Sequence, residues 1–368
     1  TKSLEDRIAL ANLLGFEQFS GLSLATKMAE NPAAVMTFLT DLSNHSKVVA
    51  EQDFDEIACF GSKALGLSSI QPWDVAYCAD RLKRHRFDLS DEDLRPYFPA
   101  QKVIDGLFEI VQRIFGVEVT PVTDMSVWHP DVTTYLIHRE GVPLARFYFD
   151  LYARAKKRGG AWMADCRCRR QDPAHGLTLP VAFLTCNFPP PVNDQPALLS
   201  HDDVVTLFHE FGHGLHHMLT QVDCASVSGI NGVAWDAVEL PSQFLENWCW
   251  DPEALNLISG QVETGEPLPL ALLEKMQQAR NFCSGMQMVR QLEFALFDFR
   301  LHNEFDGNPA TLQAILDQVR AAVSVIPISE TNRFQNGFSH IFGDVMGYAA
   351  GYYSYKWAEV LSADAFSA

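Results

Sequence analysis

Basic residues are scarce in this chain: 28 Lys and Arg stand against 46 Asp and Glu, a formal charge of −18. Nucleic acid and anionic membrane surfaces are therefore poor partners, and neutral or basic ligands fit better. No run approaches the ~18 apolar residues of a membrane-spanning helix. The opening residues TKSLEDRIAL also lack the apolar core of a secretion signal. Cysteine is sparse as well: eight thiols scattered over 368 residues do not make the dense framework of a disulfide-stapled secreted domain. A reducing compartment follows, the cytoplasm first and an organelle second. There is no internal repeat, and no low-complexity segment beyond Pro189-Pro190-Pro191.

What is present is globular. Apolar residues make up 47% and charged residues 20% of the chain, enough for a large core and too little polarity for extended disorder. The chain opens on Thr1 and stops at Ala368, inside the helical-looking run Trp357 to Phe366. It therefore reads as one unit of a longer chain, truncated at both ends.

Residues 1–116 read as a helical region. Val35, Phe38, Leu39 and Leu42 recur at three- and four-residue spacing, Asn31-Pro32 marks a helix start, Ser90 with Asp93 marks another, and Gln101 to Phe115 reads as a further helix. Residues 117–195 read as a small mixed α/β region. Its β-rich runs are Thr134–His138, Leu144–Phe149 and Val181–Phe188, the last expected to be an edge strand against which an extended peptide could pair. The basic run Lys156-Lys157-Arg158 before Gly159-Gly160 reads as a solvated turn. Residues 196–368 read as a helical core that opens with Ser200 and Asp203 as a capping pair.

That core holds the chemistry. Residues 209–213 read HEFGH, and a four-residue separation is about one helical turn, so His209 and His213 project from one face, where both imidazoles can bind one ion. Glu210 lies beside them, within reach of water at that ion. A lone HExxH occurs by chance in many proteins. Here Val204, Phe208, Phe211, Leu215 and Leu219 form an apolar stripe that places the motif on a helix packed into a core.

A third donor is needed, and DAVELPSQFLENW offers Asp236, Glu239 and Glu246. Glu239 fits a helix–loop–helix metallopeptidase arrangement, Asp236 is better placed to cap the second helix, and Glu246 could be solvated or supporting. His216 and His217 are rivals further along the first helix. Cys166, Cys168 and His175 make no full site. Near the C-terminus, Tyr348, Tyr352 and Tyr355 are spaced four and three, as on one face of a helix, with glycines at 343, 347 and 351 and His340 upstream. Their phenols could donate hydrogen bonds to an oxyanion, or form a core stripe.

The segments HEFGHGLHHML, SGINGVAWDAVELPSQFLENWCW and GYAAGYYSYKWAEV, together with ATKMAENP, QPWDVAY, LRPYFP, WHPDV, DLYAR, KRGGAW and LTCNF, resemble the thimet oligopeptidase family of zinc metallopeptidases. The spacer Gly343–Met346 after His340 is longer than the family pattern. The resemblance implies a mainly α, zincin-like (neurolysin-like) fold with a small β-sheet. It also implies one Zn2+ on His209, His213 and Glu239, Glu210 as general base, and His340, Tyr348, Tyr352 and Tyr355 as transition-state donors. The implied function is endoproteolytic hydrolysis of short peptides, with no nucleic acid, membrane or obligate protein partner. Two alternatives remain open: a dipeptidyl carboxypeptidase of the same family, for which Arg333, near the tyrosine constellation, is the obvious basic anchor, and an inactive metal-binding fragment.

Overall fold

The computed structural model describes residues 1–193 and 195–367. The chain folds into two compact units that alternate along the sequence: Thr1–Asp88, Ala234–Ala237 and Gln278–Ala358 form the first, and Leu89–Val233, Val238–Gln277 and Glu359–Ala368 the second. Helix dominates and the sheet is small, as the periodicity of the sequence indicates.

The first unit opens with α1 (Lys2–Leu13), α2 (Phe19–Leu24), α3 (Pro32–Leu65) and α4 (Val75–Phe87). Asn31 caps α3 as expected, its side chain accepting from the Ala34 N–H at 2.9 Å, with Pro32 in the first turn. The chain then builds the second unit from α5 (Asp91–Leu94), α6 (Ala100–Phe115), seven strands, α7 (His201–Met218), α8 (Leu240–Glu246), α9 (Pro252–Ile258) and α10 (Leu270–Ala279). It completes the first with α11 (Ser284–Glu304), α12 (Pro309–Val323) and α13 (Ser339–Phe342), and ends in α14 (Ser354–Ser367). The core of the first unit gathers Leu4, Phe19, Val35 and Leu39 around Phe297, Phe299, Leu316 and Tyr353, all buried.

In the second unit, β1 (Glu118–Val122), β2 (Thr133–Arg139), β3 (Val142–Tyr152), β4 (Trp162–Arg167) and β7 (Val181–Phe188) form one mixed sheet, and β5 (Arg170–Asp172) and β6 (Gly176–Thr178) a separate pair. The order is β1-β2-β3-β7-β4, with β3 and β7 parallel and the other neighbours antiparallel. Alternation along β3 turns Ala145, Phe147 and Phe149 inward. Phe147 and Phe149 pack with Phe108 of α6, Tyr135 of β2 and Phe211 of α7 in one aromatic cluster. Burying each such ring stabilises the fold by roughly 1.5–3 kcal/mol, so α7 is fixed to the sheet through its apolar stripe.

Two expectations fail here. Val181–Phe188 is an interior strand, because β4 pairs with it on the side opposite β3. Its near-continuous burial, broken only at Phe183 and Asn187, is that of a strand enclosed on both faces. Among the described residues the edges of this sheet are β1 and β4. Lys157 is likewise no solvated group: its ammonium donates to the Asp150, Tyr152 and Cys186 carbonyls and to Asp150 Oδ1, which satisfies a buried charge. Among the described residues no helix is long and apolar enough to cross a membrane.

Candidate metal centre

The Ser200–Asp203 capping box starts α7, so the first turn is set before the motif arrives. Val204, Phe208, Phe211 and Leu215 then bury the inner face, and His209, Glu210 and His213 fall where α8 crosses. The crossing is close because of Gly212. A Cβ there would lie 2.5 Å from the Pro241 carbonyl oxygen and 2.6 Å from Ser242 Cα, so only glycine lets the two backbones meet. Glu239 stands immediately before α8 and Glu246 is its last residue, so the same contact delivers both carboxylates to the histidines.

Glu239 Oε2 lies 3.3 Å from His209 Nε2 and 3.1 Å from His213 Nε2. The three residues offer donor atoms all within 4.8 Å of one another, and this is the one such group among the described residues. Zinc with ligands at about 2.0–2.1 Å holds neighbouring tetrahedral donors about 3.3 Å apart, so these separations fit that ion. Glu246 Oε1 is 2.6 Å from His209 Nδ1. A carboxylate accepting the Nδ1 proton leaves Nε2 with its lone pair toward Glu239, the usual support of a metal-binding histidine. Ser242 Oγ donates to Glu239 Oε2 at 3.1 Å and fixes the third donor.

Charge is concentrated here. Burial alone would lower the His209 imidazole, but the hydrogen bonds and charges of Glu239 and Glu246 outweigh it and push it up to about 10. Burial alone would raise Glu239, yet the hydrogen bonds and charges of His209 and His213 hold it well below the usual carboxylate range. Burial also raises the Glu210 carboxyl, an effect that the nearby histidines and a hydrogen bond from the Met163 N–H only partly offset. Glu210 Oε2 is buried and without a partner, a strong acceptor left open beside the donor set.

The neighbouring candidates go elsewhere. Asp236 does not cap α8: in the first unit it accepts from the Met28 and Ala29 N–H groups and from the Tyr353 hydroxyl. His217 Nε2 is 2.8 Å from the Arg167 carbonyl, and burial lowers His216. Cys168 accepts from Asn231, and His175 contacts Asp172. Arg333 is exposed and donates to the Glu330 and Asn332 carbonyls.

His340, Tyr348, Tyr352 and Tyr355 do gather, within the first unit. The Tyr348 and Tyr355 rings stack at 5.1 Å, Tyr352 lies 4.9 Å from Tyr355, and His340 is 5.9 and 5.8 Å from Tyr348 and Tyr352. They do not lie along one helix. α14 begins at Ser354, and the residues before it form turns in which Gly347 and Ala350 take positive φ, 40° and 49°. The residues that hold this turn, Asp298, His302 and Arg7, left no spacing signal. The nearest was a charged residue within the apolar run of α11.

If the crossing at Gly212 is what delivers the third donor, Gly212→Ala should cost about 1–3 kcal/mol of stability through overpacking and lower zinc occupancy with it. Thermal melting and metal analysis check both. An alanine variant with wild-type melting and one equivalent of zinc would show that the close approach is dispensable.

Residues 1–368 match the model of Peptidase family M3 over their whole length. The chain is 53% identical to oligopeptidase A of Escherichia coli (strain K12) over 373 residues, covering 100% of this chain and 55% of that protein. It is 36% identical to dipeptidyl carboxypeptidase of the same organism, over 99% of this chain and 53% of that one. A solved structure of PZ peptidase A with an inhibitor shares the fold at a TM-score of 0.55 and 15% identity, over 99% of this chain and 54% of that one. The chain thus spans about half the length of the curated relatives it matches. It belongs to peptidase family M3.

Proposed function

We propose that His209, His213 and Glu239 hold one zinc ion, and that the protein cleaves internal bonds of short peptides with Glu210 as general base and acid. The observation that carries this reading is the convergence of two imidazole nitrogens on one buried carboxylate, with the buried, unpartnered Glu210 Oε2 beside them. When bound, zinc supplies Lewis acidity, polarising a carbonyl oxygen and acidifying water.

Glu210 takes the proton of the attacking water at Oε2 and passes it to the departing amine nitrogen. Its raised affinity for a proton suits both halves of that task. The phenols of Tyr355, Tyr352 and Tyr348, with His340, are proposed as donors to the developing oxyanion, one such donor contributing roughly 3 kcal/mol. β4 is paired on one side only, which leaves an edge for an extended peptide. The Glu210 carboxylate accepts from Met163 on that strand. The substrates are short peptides, and the compartment proposed is the cytoplasm.

An endopeptidase is favoured over a dipeptidyl carboxypeptidase by the higher identity to oligopeptidase A, 53% against 36%. The test is a quenched peptide with an amidated C-terminus, offered to the full-length zinc-loaded protein. Cleavage at an internal bond is expected, abolished by a chelator and restored by zinc. Release of C-terminal dipeptides from free-acid peptides alone would establish the other activity, and turnover that survives chelation would remove the metal from the reading.

A further inference from the structure

The turn that carries Tyr348 and Tyr352 is held by a buried polar relay from distant parts of the first unit. Asp298 on α11 is fully buried, and its carboxylate accepts three successive backbone N–H groups: Ala350 on Oδ1, and Gly351 and Tyr352 on Oδ2, each at 2.9 Å. This grip falls where the backbone is least willing to stay. Ala350 has φ 49°, a left-handed conformation that its Cβ disfavours.

The same carboxylate lies 2.9 Å from His302 Nδ1, and His302 Nε2 lies 2.8 Å from Arg7 Nη1. A guanidinium has no acceptor, so His302 Nε2 must accept from Arg7, and Nδ1 carries the ring proton to the Asp298 backbone carbonyl at 2.8 Å, close beside the Asp298 carboxylate. Arg7 in turn donates to the carbonyls of Ile341 at 2.7 Å and Asp344 at 2.6 Å. Ser23 Oγ donates to the Ala349 carbonyl at 2.7 Å. One relay therefore clamps the turn where it leaves α13 and again where it enters α14.

We infer that Asp298, through the relay Asp298–His302–Arg7, is a positioning residue for the phenols of Tyr348, Tyr352 and Tyr355. The inference rests on the reading of those phenols as transition-state donors. A core position here calls for an apolar side chain, since a buried carboxylate is costly unless each oxygen is paired. Asp298 is paired chiefly with the turn, so what it secures is that backbone. The turn sets where Tyr348 and Tyr352 stand, and their rings pack on Tyr355. Asparagine cannot replace the carboxylate here: turning its amide nitrogen to either side sets N–H against N–H.

The test is a double-mutant cycle in the full-length zinc-loaded protein: wild type, Asp298→Asn, Tyr355→Phe and the pair. The readouts are kcat and KM on a short quenched peptide, zinc content and melting temperature. Tyr355→Phe is expected to lower kcat by about 100-fold. Asp298→Asn is expected to lower kcat by about 10- to 100-fold with KM within about threefold and zinc unchanged. The pair should be no more than a few-fold slower than the worse single variant, because a misplaced donor and a missing donor are the same loss.

If the two losses multiply, or Asp298→Asn turns over normally while Tyr355→Phe does not, the positioning role is overturned. Full turnover by Tyr355→Phe would overturn the phenol reading itself, and this inference with it. Should Asp298→Asn fail to fold, Arg7→Lys takes its place in the same cycle. It keeps the charge but cannot reproduce the two-armed hold on the Ile341 and Asp344 carbonyls, and the same non-additivity is expected.

Discussion

Glu210→Gln should leave one equivalent of zinc in place and slow peptide hydrolysis by about 10²- to 10⁴-fold, the range a positioned general base contributes. Glutamine has the same shape and can keep the hydrogen bond from Met163, so the fold around α7 should not change. What it loses is the ability to take a proton, and Glu210 Oε2 is an open buried acceptor on that helix. The pH profile carries a second signature. Burial raises the Glu210 carboxyl in the metal-free protein and a bound zinc ion would oppose that shift, so the signature to look for is an acidic limb of kcat/KM that vanishes in the variant. A glutamine variant with more than a tenth of wild-type activity would remove Glu210 from the chemistry.

Glu239→Ala should strip the zinc, whereas Glu246→Ala should weaken it by about 10- to 100-fold, the usual cost of losing the partner that orients a histidine ligand. Glu239 Oε2 faces both Nε2 atoms, but Glu246 touches only the far nitrogen of His209. The two carboxylates also make zinc compete with a proton. His209 is pushed up to about 10, so below that pH metal uptake must displace a proton, and the apparent affinity should fall about tenfold per pH unit.

The sign reverses for the metal-free fold. A raised histidine stabilises it fully below the unfolded value of about 6.5, and that contribution is lost as pH rises through about 10. In Glu246→Ala the proton is held less tightly, so the pH-dependent range should begin lower. Competitive zinc titrations at several pH values would show it. Loss of zinc from Glu246→Ala with retention in Glu239→Ala would mean that the carboxylates have been assigned the wrong way round.

Features set by neighbours in sequence were legible from sequence. Asn31-Pro32, Ser90 with Asp93 and Ser200 with Asp203 start helices because the cap and its partner lie within one turn. HEFGH and its apolar stripe placed the histidines for the same reason. Errors arose where a remote partner decides. Val181–Phe188 is interior only because Trp162–Arg167 pairs with it, and WMADCR, with its charged tail, carries little strand signal. The tyrosine spacing suggested a helix, but Asp298, some fifty residues away, holds that backbone in a turn. Asp236 had the chemistry of a cap and instead serves Met28, Ala29 and Tyr353. Lys157 looked solvated because its acceptors come from strands that sequence alone does not bring together.

Gly212 also limits how the motif could be transplanted. Grafting HEFGH onto another helical scaffold would carry over both imidazoles and the proposed base, yet not the carboxylate proposed to complete the donor set. That carboxylate arrives on a second backbone, which meets the first with no side chain between them. Helices that pack through side chains usually keep their axes about 8–10 Å apart, and a scaffold search should therefore filter for pairs near or below the short end of that range, with glycine at the crossing. A graft that ignored this spacing would display the five-residue signature and bind its metal through two ligands.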